Sequence, residues 1–121
     1  MKKIILVDDN IDDLDLMDAA LSVAGFEIYK YEDPRKAYQD IGRVKPNVFI
    51  SDYYAGVMKG KSLIALVKKQ FPNLPCIIVS GLADNLLSSE KISSDAIIQK
   101  TATYKELRSE VACIFDRQVI N

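Results

Sequence analysis

Short apolar runs alternate five times with stretches of helical periodicity along this chain of 121 residues, and that alternation leaves few folds open. The runs are Ile4-Ile5-Leu6-Val7, Phe26 to Tyr31, Asn47-Val48-Phe49-Ile50-Ser51-Asp52, Cys76-Ile77-Ile78-Val79 and Ala96-Ile97-Ile98-Gln99. They are rich in β-branched and aromatic residues and too short for helices, so they read as strands. Phe26 to Tyr31 alternates only weakly, as a partly exposed strand would. Right-handed crossovers place the intervening helices on the two faces of a parallel sheet. The pattern therefore predicts a doubly wound, five-stranded parallel sheet with helices on both faces. No repeat or linker interrupts it, and residues 1–121 read as one domain with no second, effector domain after the last helix.

Each helix carries its own punctuation. Asn10 caps the first, whose opening turn holds Asp12 and Asp13 where the helix dipole favours negative charge. Leu14, Met17, Leu21 and Ala24 make its apolar stripe, and Gly25 closes it. Asp33-Pro34 reads as N-cap and first helical residue of a second helix, which Gly42 and Pro46 terminate. A loop from Tyr53 to Gly60 leads to a third helix with Leu63, Leu66, Val67 and Phe71 turned inward. Residues 83–92 form a polar fourth helix, and Tyr104 to Gln118 a last one with Leu107, Val111 and Ile114 inside.

Composition removes several functions. Sixteen basic residues against seventeen acidic give a net charge of −1, which offers no field for nucleic acid or an anionic membrane. The chain has no histidine, so Ser-His and Cys-His catalysis and most zinc sites are absent. Cys76 and Cys113 stand apart in apolar segments and read as buried thiols of a reducing compartment. No stretch is long enough to span a bilayer, and the Met1-Lys2-Lys3 start meets Asp8-Asp9 too early for a signal peptide. A cytoplasmic protein is expected.

The strand ends carry the chemistry. Ligands of open parallel sheets bind outside the carboxyl ends of the strands. There Asp8-Asp9, Asp52, Ser80-Gly81 and Lys100 follow the first, third, fourth and fifth strands. Taken singly, Asp8-Asp9 is a helix-capping feature, Ser80 a turn residue and Lys100 a solvated charge. Their specificity comes from falling together at one sheet edge. Three carboxylates in a shared site repel one another, and a hard divalent cation with oxygen ligands, Mg²⁺ rather than zinc, relieves that conflict. Asp52 is then poised as a carboxylate nucleophile towards phosphorus, with Lys100 and the Ser80 hydroxyl on the phosphoryl oxygens.

These residues resemble the response-regulator receiver domain of the CheY-like type, over essentially the whole chain: Asp8-Asp9, Asp52, Gly60 eight residues later, Ser80-Gly81 and Lys100. The resemblance implies a flavodoxin-like (βα)5 fold. It also implies Mg²⁺-dependent transfer of a phosphoryl group from a histidine kinase or histidine phosphotransfer protein to Asp52, the chain catalysing only its own phosphorylation and dephosphorylation. Asp9, Asp52 and the Tyr54 carbonyl would be direct metal ligands and Asp8 a ligand through water, with Ser80 and Lys100 on the phosphoryl oxygens. Output would pass through the face of the fourth helix, fifth strand and last helix, to a downstream protein or along a phosphorelay.

Three positions depart from the family. Ile97 stands where an aromatic residue usually reports phosphorylation. Thr101 replaces the proline that follows the lysine in a cis bond; a cis bond to a non-proline residue costs about 3–4 kcal/mol, so a trans or strained bond and a reshaped loop are expected. Gly56 replaces a common proline and loosens the loop after Asp52. The departures motivate an alternative, a degenerate receiver that binds partners without phosphorylation. A flavin carrier is disfavoured because Asp8-Asp9 would repel the flavin phosphate. An external phosphatase lacks a general acid at Tyr54. Asp13, Leu16 and Thr101 to Tyr104 are the expected partner contacts, and bulky Tyr54 and Leu82 are expected to slow the hydrolytic water. Val111 to Phe115 is apolar over more than one stripe, which makes the output face a candidate homodimer surface.

Overall fold

Residues 2–55, 58–81, 95–100 and 104–120 are described by a computed structural model. Their apolar runs pair in parallel as β1 (Lys3–Val7), β2 (Glu27–Tyr31), β3 (Val48–Asp52), β6 (Cys76–Ser80) and β7 (Ala96–Gln99). The sheet order is β2-β1-β3-β6-β7, the doubly wound, flavodoxin-like topology, with its reversal of winding between β1 and β3. All of β3 and β6 and Ile4 to Val7 of β1 are buried, as strands covered on both faces must be. Tyr54–Ala55 (β4) and Met58–Lys59 (β5) form a small antiparallel ladder after β3.

Alternate side chains divide the core into two layers. Ile4, Leu6, Ile50, Ile77 and Val79 meet Leu14, Met17 and Leu21 of α1 (Ile11–Ser22) and Leu107, Val111 and Ile114 of α4 (Lys105–Ile120). Ile5, Val7, Phe49 and Ile78 meet Ala37, Ile41 and Val44 of α2 (Pro34–Val44) and Leu63, Ile64 and Val67 of α3 (Gly60–Gln70). On the outside of the first layer Phe26 and Phe115 stack at 4.9 Å, tying the start of β2 to α4.

Helix ends depart from the sequence reading in instructive ways. Helix α1 stops at Ser22, before the exposed Ala24, and Gly25 takes φ +89° in the turn that follows. Gly42 does not end α2. The helix runs on to Val44 because burial of Ile41 and Val44 outweighs a single glycine's penalty. Lys45 then adopts the left-handed conformation at φ 54° and closes the helix with its N–H on the Ile41 carbonyl. In α3 the inward residue is Ile64, fully buried, and Leu66 is 41% exposed: the inner stripe runs through residues 60, 63, 64 and 67, and Leu66 falls beside it. Cys76 is buried as expected, but Cys113 is exposed, since Val111, Ile114 and Phe115 occupy the inner face of α4 around it. Residues 83–92 lie outside the described residues.

Candidate functional site

Asp8 leaves the carboxyl end of β1 fully buried. Its N–H donates to the Tyr31 carbonyl at 3.1 Å, and its Oδ1 accepts the Asn10 N–H at 3.0 Å. That second bond turns the chain into α1, where the Asn10 Oδ1 caps the Asp13 N–H at 3.1 Å. Asp9, between them, is exposed. On β3 the register sets Asp52 opposite Val79, and the Tyr53 N–H continues the ladder to the Val79 carbonyl at 3.2 Å. The site therefore begins where two buried strands end side by side.

Gly60 opens α3 directly against that strand end. A Cβ there would strike the Asp52 carbonyl oxygen and lie 2.9 Å from the Tyr53 Cα, so no other residue fits without moving backbone. Ser80 ends β6 at 3% exposure, and its carbonyl accepts the Lys100 N–H at 2.8 Å. This holds the start of the last loop beside the acids. A Cβ at Gly81 would meet nothing within 4 Å.

Carboxylate oxygens of Asp8, Asp9 and Asp52 lie within 4.8 Å of one another. The Lys100 Nζ reaches Asp8 Oδ2 at 2.8 Å, Asp13 Oδ2 at 2.8 Å and Asp52 Oδ1 at 3.2 Å. Burial, and then the charge of Asp8, push the Asp52 carboxyl up to about 6 in spite of Lys100. Burial also raises Asp8, against the pull of Lys100. Lys100 itself is raised: burial works against its charge, but the hydrogen bonds to Asp13 and Asp8 and the charge of Asp52 outweigh it. A single ammonium thus fails to neutralise the cluster. The donors are all hard oxygens and one of them, Asp9, faces solvent, so the residues present fit a hexacoordinate divalent cation that keeps waters.

Asp8, Asp9, Asp52, Ser80 and Lys100 are thereby brought to one edge, as the strand ends predict. The Tyr54 backbone follows Asp52 within two residues, in β4. Ile97 is partly buried against the α2 and α3 side of the sheet. Leu16, at 50% exposure, is open to a partner; Tyr104, expected as a contact, is 3% exposed and packs in the α1 and α4 layer. Gly56, Leu82, Thr101, Ala102 and Thr103 lie outside the described residues. Sequence reasoning missed the pairing of Asp13 with Lys100. Its position in the first turn of the helix that leaves Asp8-Asp9 was the available signal, but it reads equally as a dipole-compensating acid.

Residues 4–112 match the family model of the response regulator receiver domain. Among curated relatives, the probable transcriptional regulator ycf27 of Galdieria sulphuraria is 23% identical over 118 residues, 96% of this chain and 46% of its own length. The chain spans about half or less of the curated relatives it matches first. A CheY-like receiver domain protein from Methanospirillum hungatei superposes with a TM-score of 0.85 at 26% identity, covering 98% of this chain and 96% of that one. The fold is also that of the Thermotoga maritima response regulator TrrA, solved in complex with Mg(2+)-BeF. There the TM-score is 0.87 at 20% identity, over 94% of this chain and 99% of that one.

Proposed function

The chain belongs to the response regulator receiver domain family, and we propose that it takes a phosphoryl group from a partner's phosphohistidine onto Asp52 and signals by the change in contacts that follows. The observation that carries the reading is the position of Asp52. Its carboxylate ends a buried strand within reach of two further carboxylates, Asp8 and Asp9, and of an ammonium at 3.2 Å.

Asp8, Asp9 and Asp52, with the Tyr54 carbonyl, would hold Mg²⁺, which when bound supplies positive charge against the carboxylates and the incoming phosphoryl oxygens. Everything else falls to the chain. An Asp52 oxygen attacks phosphorus, the O–P bond forms as the P–N bond to the partner's imidazole breaks, and the imidazole leaves neutral, keeping the proton its other ring nitrogen already carries. Even with burial lifting Asp52 to about 6, most of it is ionised at neutral pH and available as the attacking carboxylate. Lys100 would neutralise charge on the transferring group, and Ser80, buried at the end of β6, would turn its hydroxyl to a phosphoryl oxygen. The buried strand ends fix these groups before the partner arrives, so the transfer is chiefly positioning and charge compensation.

A phosphohistidine donor would be a histidine kinase or histidine phosphotransfer protein, which this reading places in the cytoplasm. Output from these residues is a protein contact or onward phosphotransfer. The partly buried Ile97 supports a second reading, a phosphorylation-independent binding module, because an aliphatic side chain there cannot make the aromatic reorientation expected of the family. Intact-mass measurement with Mg²⁺ and a small phosphodonor separates the two. One added phosphoryl group in wild type, absent in Asp52→Asn and after chelation, is expected. No gain with any donor would leave the binding module.

A further inference from the structure

Lys100 has three N–H donors, and its Nζ faces three carboxylates, Asp8 and Asp13 at 2.8 Å each and Asp52 at 3.2 Å. Phosphorylation of Asp52 turns that carboxylate into an acyl phosphate and frees one N–H for the new oxygens, while Asp8 and Asp13 still hold the other two. For the ammonium to give the phosphoryl group more than one donor, one of these two pairs has to yield. Asp8 is poorly suited to do so, because its side chain is fully buried, its other oxygen is held by the Asn10 N–H, and stripping a cation from a buried carboxylate is costly. Asp13 is different. Its side chain is 30% exposed in the first turn of α1, so its carboxylate can turn to water while remaining where the helix dipole favours negative charge.

We propose that Asp13 is a displaceable counter-ion for Lys100: it holds the ammonium in the unphosphorylated protein and must release it before the phosphoryl group on Asp52 is fully bound. Resting on the receiver reading above, this makes Asp13 a positioning residue that weakens phosphoryl capture. Asp13 lies outside the set of carboxylates close enough to share a cation, so it acts on the phosphoryl side of the site rather than on the metal. It also adds a third negative charge, after Asp8 and Asp9, near the acceptor, which opposes an anionic donor by the same sign of effect. Two independent consequences follow, a looser lysine without Asp13 and a tighter grip on a phosphoryl mimic.

The test is calorimetric titration of beryllofluoride at saturating Mg²⁺ into wild type, Asp13→Asn and Asp13→Ala, with Mg²⁺ alone titrated separately. Reductive methylation of Lys100, followed by mass spectrometry, is measured on the metal-free proteins. Both variants should bind beryllofluoride about two- to fivefold tighter, the range of a partly exposed ion pair. Mg²⁺ affinity should change by no more than about twofold, as expected of a screened charge that is not a ligand, and Lys100 should be methylated faster. A wild type that binds beryllofluoride, beside variants that bind it equally or more weakly, would show that Asp13 helps rather than hinders Lys100 and would overturn the proposal alone. Unchanged methylation of Lys100 would overturn the tether. A wild type with Mg²⁺ affinity but no beryllofluoride binding would overturn the receiver reading, and this proposal with it.

Discussion

Replacing Asp52 by asparagine should stabilise the metal-free protein at neutral pH and do nothing in acid. In the fold the Asp52 carboxyl is moved from the ordinary 3.8 to about 6, first by burial and then by Asp8, and its side chain is only 12% exposed. Each tenfold in acidity is worth about 1.36 kcal/mol, so ionising Asp52 in the folded state costs about 3 kcal/mol more than in the unfolded chain. The direction follows from the folded value lying above the unfolded one. The stabilising contribution is fully present below pH 3.8, is lost as pH rises through about 6, and is gone above about 7. Asparagine does not titrate, keeps the shape and escapes the loss. Asp8 titrates in both proteins, so the comparison largely removes it.

Urea unfolding followed by circular dichroism, in chelator, at pH values from 4 to 8, measures the difference directly. The variant should equal wild type near pH 4 and exceed it by about 2–3 kcal/mol at pH 7.5. Saturating Mg²⁺ should then close most of that gap. A ligand at a hundred times its dissociation constant stabilises by about 2.7 kcal/mol, and the variant lacks a carboxylate to share in it. Chelation should reopen the gap. A wild type as stable as the variant at pH 7.5 without metal, or a gap widest in acid, would refute the argument that burial and Asp8 strain this carboxylate.

Gly60→Ala should destabilise the protein by about 1–3 kcal/mol and weaken Mg²⁺ binding, because the new Cβ meets Asp52 and Tyr53 backbone that cannot rotate away. Gly42→Ala is its control. A Cβ there meets nothing within 4 Å inside α2, so it should stabilise by about 0.5–1 kcal/mol in the same urea assay. Iodoacetamide should add one label quickly, at exposed Cys113. Cys76, buried with its thiol pushed up to about 12, should accept the second only on unfolding, as mass spectrometry of peptides will show.

The fold was legible because its signals are redundant. Asn10 and Asp33 cap α1 and α2 as their residue types predict, and Cys76 to Val79, apolar without a break, is buried on both faces. Where one local residue was asked to decide, the reading failed. Gly42 lost to two buried neighbours, Leu66 to the turn geometry of α3, and Cys113 to a helix whose apolar run is wider than its buried face. The site followed the same rule. Asp8, Asp9, Asp52, Ser80 and Lys100 were found because strand topology alone gathers strand ends. Asp13 sits on a helix, and its reach to Lys100 depends on rotamers and a crossing distance that spacing does not encode.

What the strands gather, they also set in conflict. The two apolar layers hold Asp8 and Asp52 within reach of each other although burial and, for Asp52, the charge of Asp8 favour their protonation, and Gly60 lets α3 press on the same strand end without relief. Lys100 alone is divided among three acids and compensates each of them in part. A cation or a phosphoryl group entering this edge therefore finds an arrangement whose repulsion the core has already met, and its binding energy need not assemble the site. The same division of Lys100 makes the site responsive: whatever claims the ammonium must take it from a carboxylate, and the carboxylate that water can most easily receive is Asp13.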